Sequence, residues 1–417
     1  PEVELEAREQ EPSEPPRRLN NLSLLDGKTF SATTLAGDIA PANAGDVGLF
    51  HRDTRFLSYL ELLVDGHRTV VLSSSTQGNL YAQIEMATST LVRRAGGAPE
   101  NNLHVRREQV IAAHFYERVT AENFNLQPVE IVLEWRFDAD FADVFQVRGM
   151  LVRQQGARRE PVVTADGVIF AYDGRDHVHR RTVLRFDPPP EAPEAHRAVF
   201  HLRLNPRERR QILLTVSPET EGDPLLGPAA GFAAALTGRR RALEAFGRES
   251  TQFESSDDLF NACMTTAITD FFALRIPFAA RLRPPLGSGS AEGETGAPEG
   301  PGGRQGEIIA AGIPWFATVF GRDSLIAAYQ SLLLRPQLAR DTLRFLARWQ
   351  GRAVDDWRDE QPGKILHEFR EGELTRGGAL PHAPYYGSVD STPLFLIVLG
   401  ETFNWTGDRD LLEELLP

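Results

Sequence analysis

Between about Leu19 and Pro218, apolar and polar residues alternate with a period of two. Val129, Ile131, Leu133, Trp135 and Phe137 share one face of an extended segment, and Glu130, Glu134, Arg136 and Asp138 fall mostly on the other, as in a half-buried strand. Phe200, Leu202 and Leu204 repeat the pattern, as do Ile212, Leu214 and Val216. Tyr59–Val64, Asp65-Gly66 and His67–Ser73 read as a hairpin closed by a tight Asp-Gly turn. Several such strands separated by turn residues predict an antiparallel β-sandwich over residues 20–220. Residues 1–19, rich in Glu, Pro and Arg and without an apolar pattern, read as a disordered lead-in.

The period then changes to that of a helix. Phe232–Phe246, rich in Ala, Leu and Arg, predicts a linking helix within residues 221–255. From Ser256, a good N-cap, Leu259, Phe260, Cys263, Met264, Ala267, Ile268, Phe271 and Phe272 recur at three- and four-residue spacing. Ser324–Leu334 and Gln337–Trp349 read as two more helices separated by Pro336. Thr392 as cap, Pro393 at the first position and Gly407 as terminator frame another, and Asp408 starts one more. Residues 256–417 are therefore expected to be helical. Pro284–Gly306, rich in Gly, Pro and Ser, interrupts them with a loop long enough to be either disordered or functional.

Charge and composition narrow the partners. The 417 residues carry a formal net charge of −13, which disfavours a general binder of nucleic acid or anionic membranes, since phosphates are gripped by clustered Lys and Arg. A neutral substrate such as a sugar fits better. No stretch of about 18 apolar residues is present, so no membrane span is expected. There is no basic start followed by an apolar core either, and a cytoplasmic location is expected. The single cysteine, Cys263, sits in an apolar helical pattern and reads as a core residue.

Three segments carry candidate chemistry. In Pro314-Trp315-Phe316-Ala317-Thr318-Val319-Phe320-Gly321-Arg322-Asp323-Ser324, aromatics and an Arg-Asp pair precede a helix. Aromatic rings cover the apolar faces of sugars, and carboxylate and guanidinium groups bond their hydroxyls. Equally, Asp323 could cap the helix while Arg322 pairs with a surface acid. In Gly363-Lys364-Ile365-Leu366-His367-Glu368, followed by Arg370, Glu371 and Glu373, a His-Glu pair could touch a substrate or belong to a solvated charge run. His367 and His382 lack the spacing of metal ligands, and no metal is expected. In Tyr385-Tyr386-Gly387-Ser388-Val389-Asp390-Ser391-Thr392-Pro393, a carboxylate stands at a helix mouth beside aromatics. It could donate a proton to a leaving oxygen, although a helix N-terminus favours the ionised form that such a donor must avoid. Earlier in the chain, His51, Arg52, Asp53, Thr54 and Arg55 form a dense polar cluster between Phe50 and Phe56. It reads as a structural ion-pair network or a surface docked on the helical region.

Together these segments resemble the amylo-α-1,6-glucosidase (glycogen-debranching) family of six-hairpin glycosidases, in Pro314–Gln330, Gly363–Glu368 and Tyr385–Asp408. Ser23–Phe30, Gly48–Ser58 and Phe137–Phe145 resemble the β-sandwich domain that precedes the catalytic domain in bacterial members. The resemblance implies a multidomain protein, an N-terminal antiparallel β-sandwich followed by an all-α (α/α)6 toroid. That toroid would be incomplete here, because six hairpins need twelve helices and the sequence suggests five or six. It implies Asp390 as the general acid and a general base, a glutamate, beyond Pro417. Trp315, Phe316, Arg322, Asp323, His367, Glu368 and Tyr386 would hold the sugar.

The expected activity is hydrolysis of α-glucosidic bonds, at α-1,6 branches of glycogen-like glucans, with inversion and without a cofactor. The alternatives are another six-hairpin glycosidase, trehalase- or β-fructosidase-like, and a carbohydrate-binding protein of the same fold without turnover.

Overall fold

A computed structural model of the chain describes residues 21–40, 47–88, 103–152, 154–222, 229–279 and 305–416. The lead-in expected over residues 1–19 and residues 284–304 of the Gly/Pro-rich loop lie outside them.

Ten strands come first: β1 (Leu22–Asp26), β2 (Thr29–Thr33), β3 (Gly48–His51), β4 (Thr54–Leu57), β5 (Tyr59–Val64), β6 (Val70–Gln77), β7 (Tyr81–Ala87), β8 (Leu103–Ala112), β9 (His114–Asn123) and β10 (Val129–Asp138). A one-turn helix, α1 (Val144–Val147), follows, then β11 (Ala157–Arg158), β12 (Val162–Val163), β13 (Gly167–Asp173), β14 (His179–Asp187), β15 (Arg197–Leu204) and β16 (Arg209–Thr220). All pair antiparallel. β1 to β4 form a meander, β15-β10-β5 a small sheet, and β11-β13-β14-β16-β9-β8-β7-β6 a large one, with β12 also against β13.

The core lies between the small and large sheets. Trp135 of β10 meets Phe186 of β14 across it at 5.6 Å and Phe200 of β15 at 5.4 Å, all three buried. Burying each such ring stabilises the fold by roughly 1.5–3 kcal/mol. The alternation read for β10 holds. Ile131, Leu133, Trp135 and Phe137 point inward, and Glu134, on the outer face, is shielded by Arg136 and Arg197. The core also encloses a charge: Arg107 lies between Asp38 and Glu117, at 2.5 and 2.6 Å.

The hairpin expected over Tyr59–Ser73 forms only as a turn. Asp65 and Gly66 both adopt positive φ, and Val64 pairs with His67. Beyond it the strands part. β5 is buried almost throughout and pairs with β10, whereas the polar β6, with Leu72 61% exposed, runs along the edge of the large sheet beside β7.

After Thr220 come α2 (Phe232–Arg248), α3 (Asp258–Ala273), β17 (Arg275–Ala279), β18 (Gln305–Ile309), β19 (Val319–Phe320), α4 (Gly321–Gln330), α5 (Pro336–Arg348), β20 (Glu368–Phe369), α6 (Glu373–Arg376), α7 (Ser391–Thr406) and α8 (Arg409–Leu415). The expectation of helix alone after residue 256 is corrected by two antiparallel pairs, β17-β18 and β19-β20. Three caps also differ. Asp257, not Ser256, accepts the first amides of α3. α4 begins at Gly321, so Asp323 lies in its first turn. Asp390 rather than Thr392 occupies the N-cap position of α7. Gly407, at φ 64°, ends α7 as expected, and Asp408 caps α8. Cys263, expected in the core, is exposed, as are Leu259 and Phe260 on the same helix.

Leu325 and Ala328 of α4, Leu343 and Leu346 of α5, Phe395 and Val398 of α7 and Leu411 of α8 form the helical core. α2 joins the two regions. Its Phe232, Ala235 and Phe246 pack with Tyr81, Val110 and Tyr116 of the sandwich and with Phe272 and Leu338 of the helical part, and Arg239 bonds the Asp26 carboxylate. Among the described residues, no helix is long and apolar enough to cross a membrane.

Candidate active site

Backbone pairing draws the three chemical segments together. β19 pairs with β20, Phe320 opposite Glu368, and the Gly321 amide donates to the His367 carbonyl at 2.8 Å. On the other side, Glu368 bridges to Tyr385, whose carbonyl accepts the His367 amide at 2.7 Å. A side chain at Gly321 would have its Cβ 1.9 Å from the Leu366 carbonyl oxygen, so only glycine permits this approach.

The ladder ends where α4 and α7 begin. Arg322, in the first turn of α4, reaches Asp390 at the start of α7, with Nη1 3.5 Å from Oδ2; its Nε stands 3.6 Å from Asp323. Asp323 and Asp390 thus face one guanidinium at the same end of two packed helices, both partly open to solvent. The Asp390 side chain makes no bond to the helix amides. It accepts from the Ser388 hydroxyl at 2.5 Å. That bond, opposed by partial burial and reinforced by the Arg322 charge, holds the Asp390 carboxyl below its ordinary range.

A series of ring contacts runs beside this pair. Phe316 meets Phe320 at 5.6 Å, Phe320 meets His367 at 5.7 Å, and His367 meets Tyr385 at 6.0 Å. The Arg148 guanidinium, at the end of α1 in the sandwich, lies over both Trp315 and Phe316 at 5.9 Å. Glu368 is buried; its Oε1 accepts from Arg370 at 2.6 Å, while Oε2 has no protein partner among the described residues. His382, with Nδ1 3.9 Å from the same carboxylate, is held below its usual range chiefly by burial.

Arg322, Asp323 and Asp390 thus meet, and Trp315, Phe316, His367 and Glu368 lie on the linked segments that lead to them. Tyr386 points elsewhere. Its ring is 2% exposed within the helical core, and its hydroxyl donates to the Trp349 carbonyl at 2.8 Å. Tyr385, its neighbour, faces the site and donates to Asp359 at 2.7 Å. Arg370, Phe320, Arg148 and His382 also meet the site. Phe320 lay within the first candidate segment and Arg370 within the charge run, His382 was weighed only as a metal ligand, and Arg148 carried no sequence signal.

The early polar cluster docks here. Arg52 (φ 46°) and Asp53 (φ 59°) form the two-residue turn between β3 and β4. The Asp53 carboxylate accepts from Arg370 Nη1 and from the Glu371 amide, both at 2.8 Å. Glu371 pairs with Lys28 at 2.6 Å and with Arg52 at 3.6 Å. Burial opposes its charge, but these two cations outweigh it and hold the carboxyl at about 2. Asp143 accepts the Leu374 amide, and Tyr172 donates to Glu373 at 2.6 Å.

A polar cavity of about 650 Å³ opens elsewhere, at the start of α5, lined by Glu249, Arg335, Arg340 and Thr406 among others. Its arginines are paired with Glu249 and Asp408, and no candidate residue lines it. Among the described residues, no group of three or more His, Cys, Asp or Glu is placed to hold a metal ion.

Residues 24–215 match the family described as the N-terminal domain of (some) glycogen debranching enzymes. No curated protein matches the chain in sequence. Among solved structures, a protein described as a kojibiose phosphorylase from the human microbiome superposes with a TM-score of 0.56 at 11% identity, covering 94% of this chain and 54% of that one. A bacterial glucoamylase complexed with acarbose gives 0.46 at 9%, covering 93% and 55%. The chain spans about half the length of these proteins. Residues 24–215 are thus similar to a domain described from the N-terminus of some glycogen debranching enzymes, and the chain as a whole shares its fold with about half of the kojibiose phosphorylase structure.

Proposed function

We propose that the chain is the sugar-binding and proton-donating part of an inverting glycoside hydrolase of the amylo-α-1,6-glucosidase type, acting on α-1,6 branches of glycogen-like glucans. The observation that carries this reading is the meeting of Asp390, Arg322 and Asp323 beside the ring contacts that run from Phe316 to Tyr385. Aromatic faces suit the apolar sides of a pyranose, and Arg322, Asp323 and the open Oε2 of Glu368 suit its hydroxyls. Asp390 is assigned the general-acid role. An inverting mechanism needs a second carboxylate to activate water, and this reading assigns it to a glutamate outside residues 1–417. The match of residues 24–215 to a debranching-enzyme domain supports the substrate class, an oligo- or polysaccharide of glucose.

As a general acid Asp390 must carry a proton, yet Ser388 and Arg322 favour its charge in the free protein. In this reading, a bound sugar that displaces water from the partly open carboxyl raises its pKa. The same observation favours a second reading, a carbohydrate-binding protein of this fold without turnover. Asp390→Asn in the whole protein decides between them. The amide keeps shape and hydrogen bonding but cannot donate the proton, so kcat on a branched glucan should fall by ~10²–10⁴-fold with little change in KM. A substrate with a very good leaving group should recover much of the rate. Near-normal turnover by Asp390→Asn sinks the assignment; an inert wild-type protein that still binds glucan supports the second reading.

A further inference from the structure

Arg370 is 2% exposed and joins three segments through three donors. Nε goes to Glu368 at 2.6 Å, Nη2 to the Trp315 carbonyl at 2.8 Å, and Nη1 to Asp53 at 2.8 Å. Its guanidinium also lies over Phe145 at 5.3 Å and Phe320 at 5.4 Å. Two of its acceptors belong to the candidate sugar site, and the third comes from the sandwich. Asp53 grips the segment twice, since its other oxygen takes the Glu371 amide. It does so from a turn whose two residues hold positive φ, a conformation that L side chains rarely adopt.

We propose that Asp53 is a positioning residue supplied by the sandwich: by fixing Arg370, it sets the Glu368 carboxylate so that Oε2 faces the sugar while Oε1 stays with Arg370. This rests on the glucosidase reading above. A buried arginine needs its counter-charges. With Asp53 in place, Arg370 can share one oxygen of Glu368 and leave the other open. Without it, Glu368 alone is left of the two carboxylates bonded to this buried cation, and the guanidinium draws the whole carboxylate into a two-pronged pair of the kind arginine favours, away from a hydroxyl.

Steady-state kinetics of the whole protein on isomaltose or a branched glucan, together with thermal melting, test the proposal. In Asp53→Asn, one amide oxygen stands where two donors converge, so one bond must go. KM should rise about tenfold or more, the scale of losing a hydrogen bond to a charged group, with a smaller fall in kcat. Lys28→Met provides the contrast. It weakens the same docking surface at Glu371 without touching Arg370, and should lower the melting point while KM stays put. Should Asp53→Asn not fold, Asp53→Glu keeps the charge but pushes the carboxylate toward Arg370 by one methylene, and should raise KM in a folded protein.

An unchanged KM in whichever Asp53 variant folds overturns the positioning role, as does an equal KM rise in Lys28→Met, which would make loss of docking itself the cause. A wild-type protein inert on every α-glucoside is a different failure: it removes the glucosidase reading and this proposal with it.

Discussion

Arg322 Nη1 stands 3.5 Å from Asp390 Oδ2, across the gap between the first turns of two helices. At this distance, and with both side chains partly solvated, the pair is loose enough for a sugar hydroxyl to replace either partner. Substituting Arg322 by Met removes the cation, so the Asp390 carboxyl loses stabilisation of its charged form and its pKa rises. The alkaline limb of the pH–rate profile, where the acid loses its proton, should therefore move to higher pH while the maximal rate falls with the lost sugar contact. A pH series of kcat/KM on one glucan checks this; an unmoved limb would mean that Arg322 does not govern Asp390.

The docking surface should have its own pH dependence. Burial, against the bonds from the Phe145 and Leu374 amides and with help from the Asp53 charge, pushes the Asp143 carboxyl up to about 7. The folded protein then holds a proton that the unfolded chain, with an ordinary value of 3.8, has lost. This contribution is full below about pH 4 and disappears as pH rises through 7, and is on the order of 4 kcal/mol. Glu371 acts in the opposite sense: its stabilisation is present above about pH 4.5 and lost as pH falls toward 2. Urea unfolding should show Asp143→Asn flattening the decline between about pH 4 and 7, and equal slopes in variant and wild type would rule Asp143 out as its source.

Arg107 should be among the least replaceable residues of the sandwich. It is fully buried between Asp38 and Glu117, and Glu117 also accepts from Trp135 Nε1 at 3.0 Å and Gln109 at 2.7 Å. Arg107→Met leaves two buried carboxylates without their cation and should cost about 3–5 kcal/mol. Denaturant melts of Arg107→Met, and of a triple variant that also makes Asp38 and Glu117 apolar, should show the triple recovering part of the loss.

Tyr386→Phe separates core from site. Losing the hydroxyl leaves the Trp349 carbonyl short of a donor and should lower stability by about 1–3 kcal/mol. Affinity for glucan, read by titration calorimetry, should not change; a clear loss of affinity would return Tyr386 to the sugar site.

Which parts of the molecule could be read from the sequence follows from how local each signal is. β10 and β16 were legible because one buried face imposes a strict period of two, and the end of α7 because Gly407 supplies a conformation other residues resist. Segments such as Gly321-Arg322-Asp323 stood out by their chemistry. Tyr385 and Tyr386 could not be told apart: adjacent extended residues point to opposite sides, and which side is the site depends on the pairing with Glu368. The β17-β18 pair was hidden because a proline lies inside Arg275–Ala279 and its partner strand begins only at Gln305. The link between Asp53 and Arg370 spans 317 positions, and charge complementarity at that range leaves no local pattern.

The docking of residues 28–53 against 368–373 has a consequence for biosynthesis. Translation makes the sandwich first, and a domain completed early folds as a unit while the rest is still being made. Glu371 and Arg370 therefore emerge opposite a finished surface already carrying Lys28, Arg52 and Asp53. A circular permutant that places the helical region first would release those charges into a chain lacking their partners. It should refold from denaturant as well as the native order does, yet give a lower soluble yield when synthesised; equal yields from both orders would show that the early surface gives no such help.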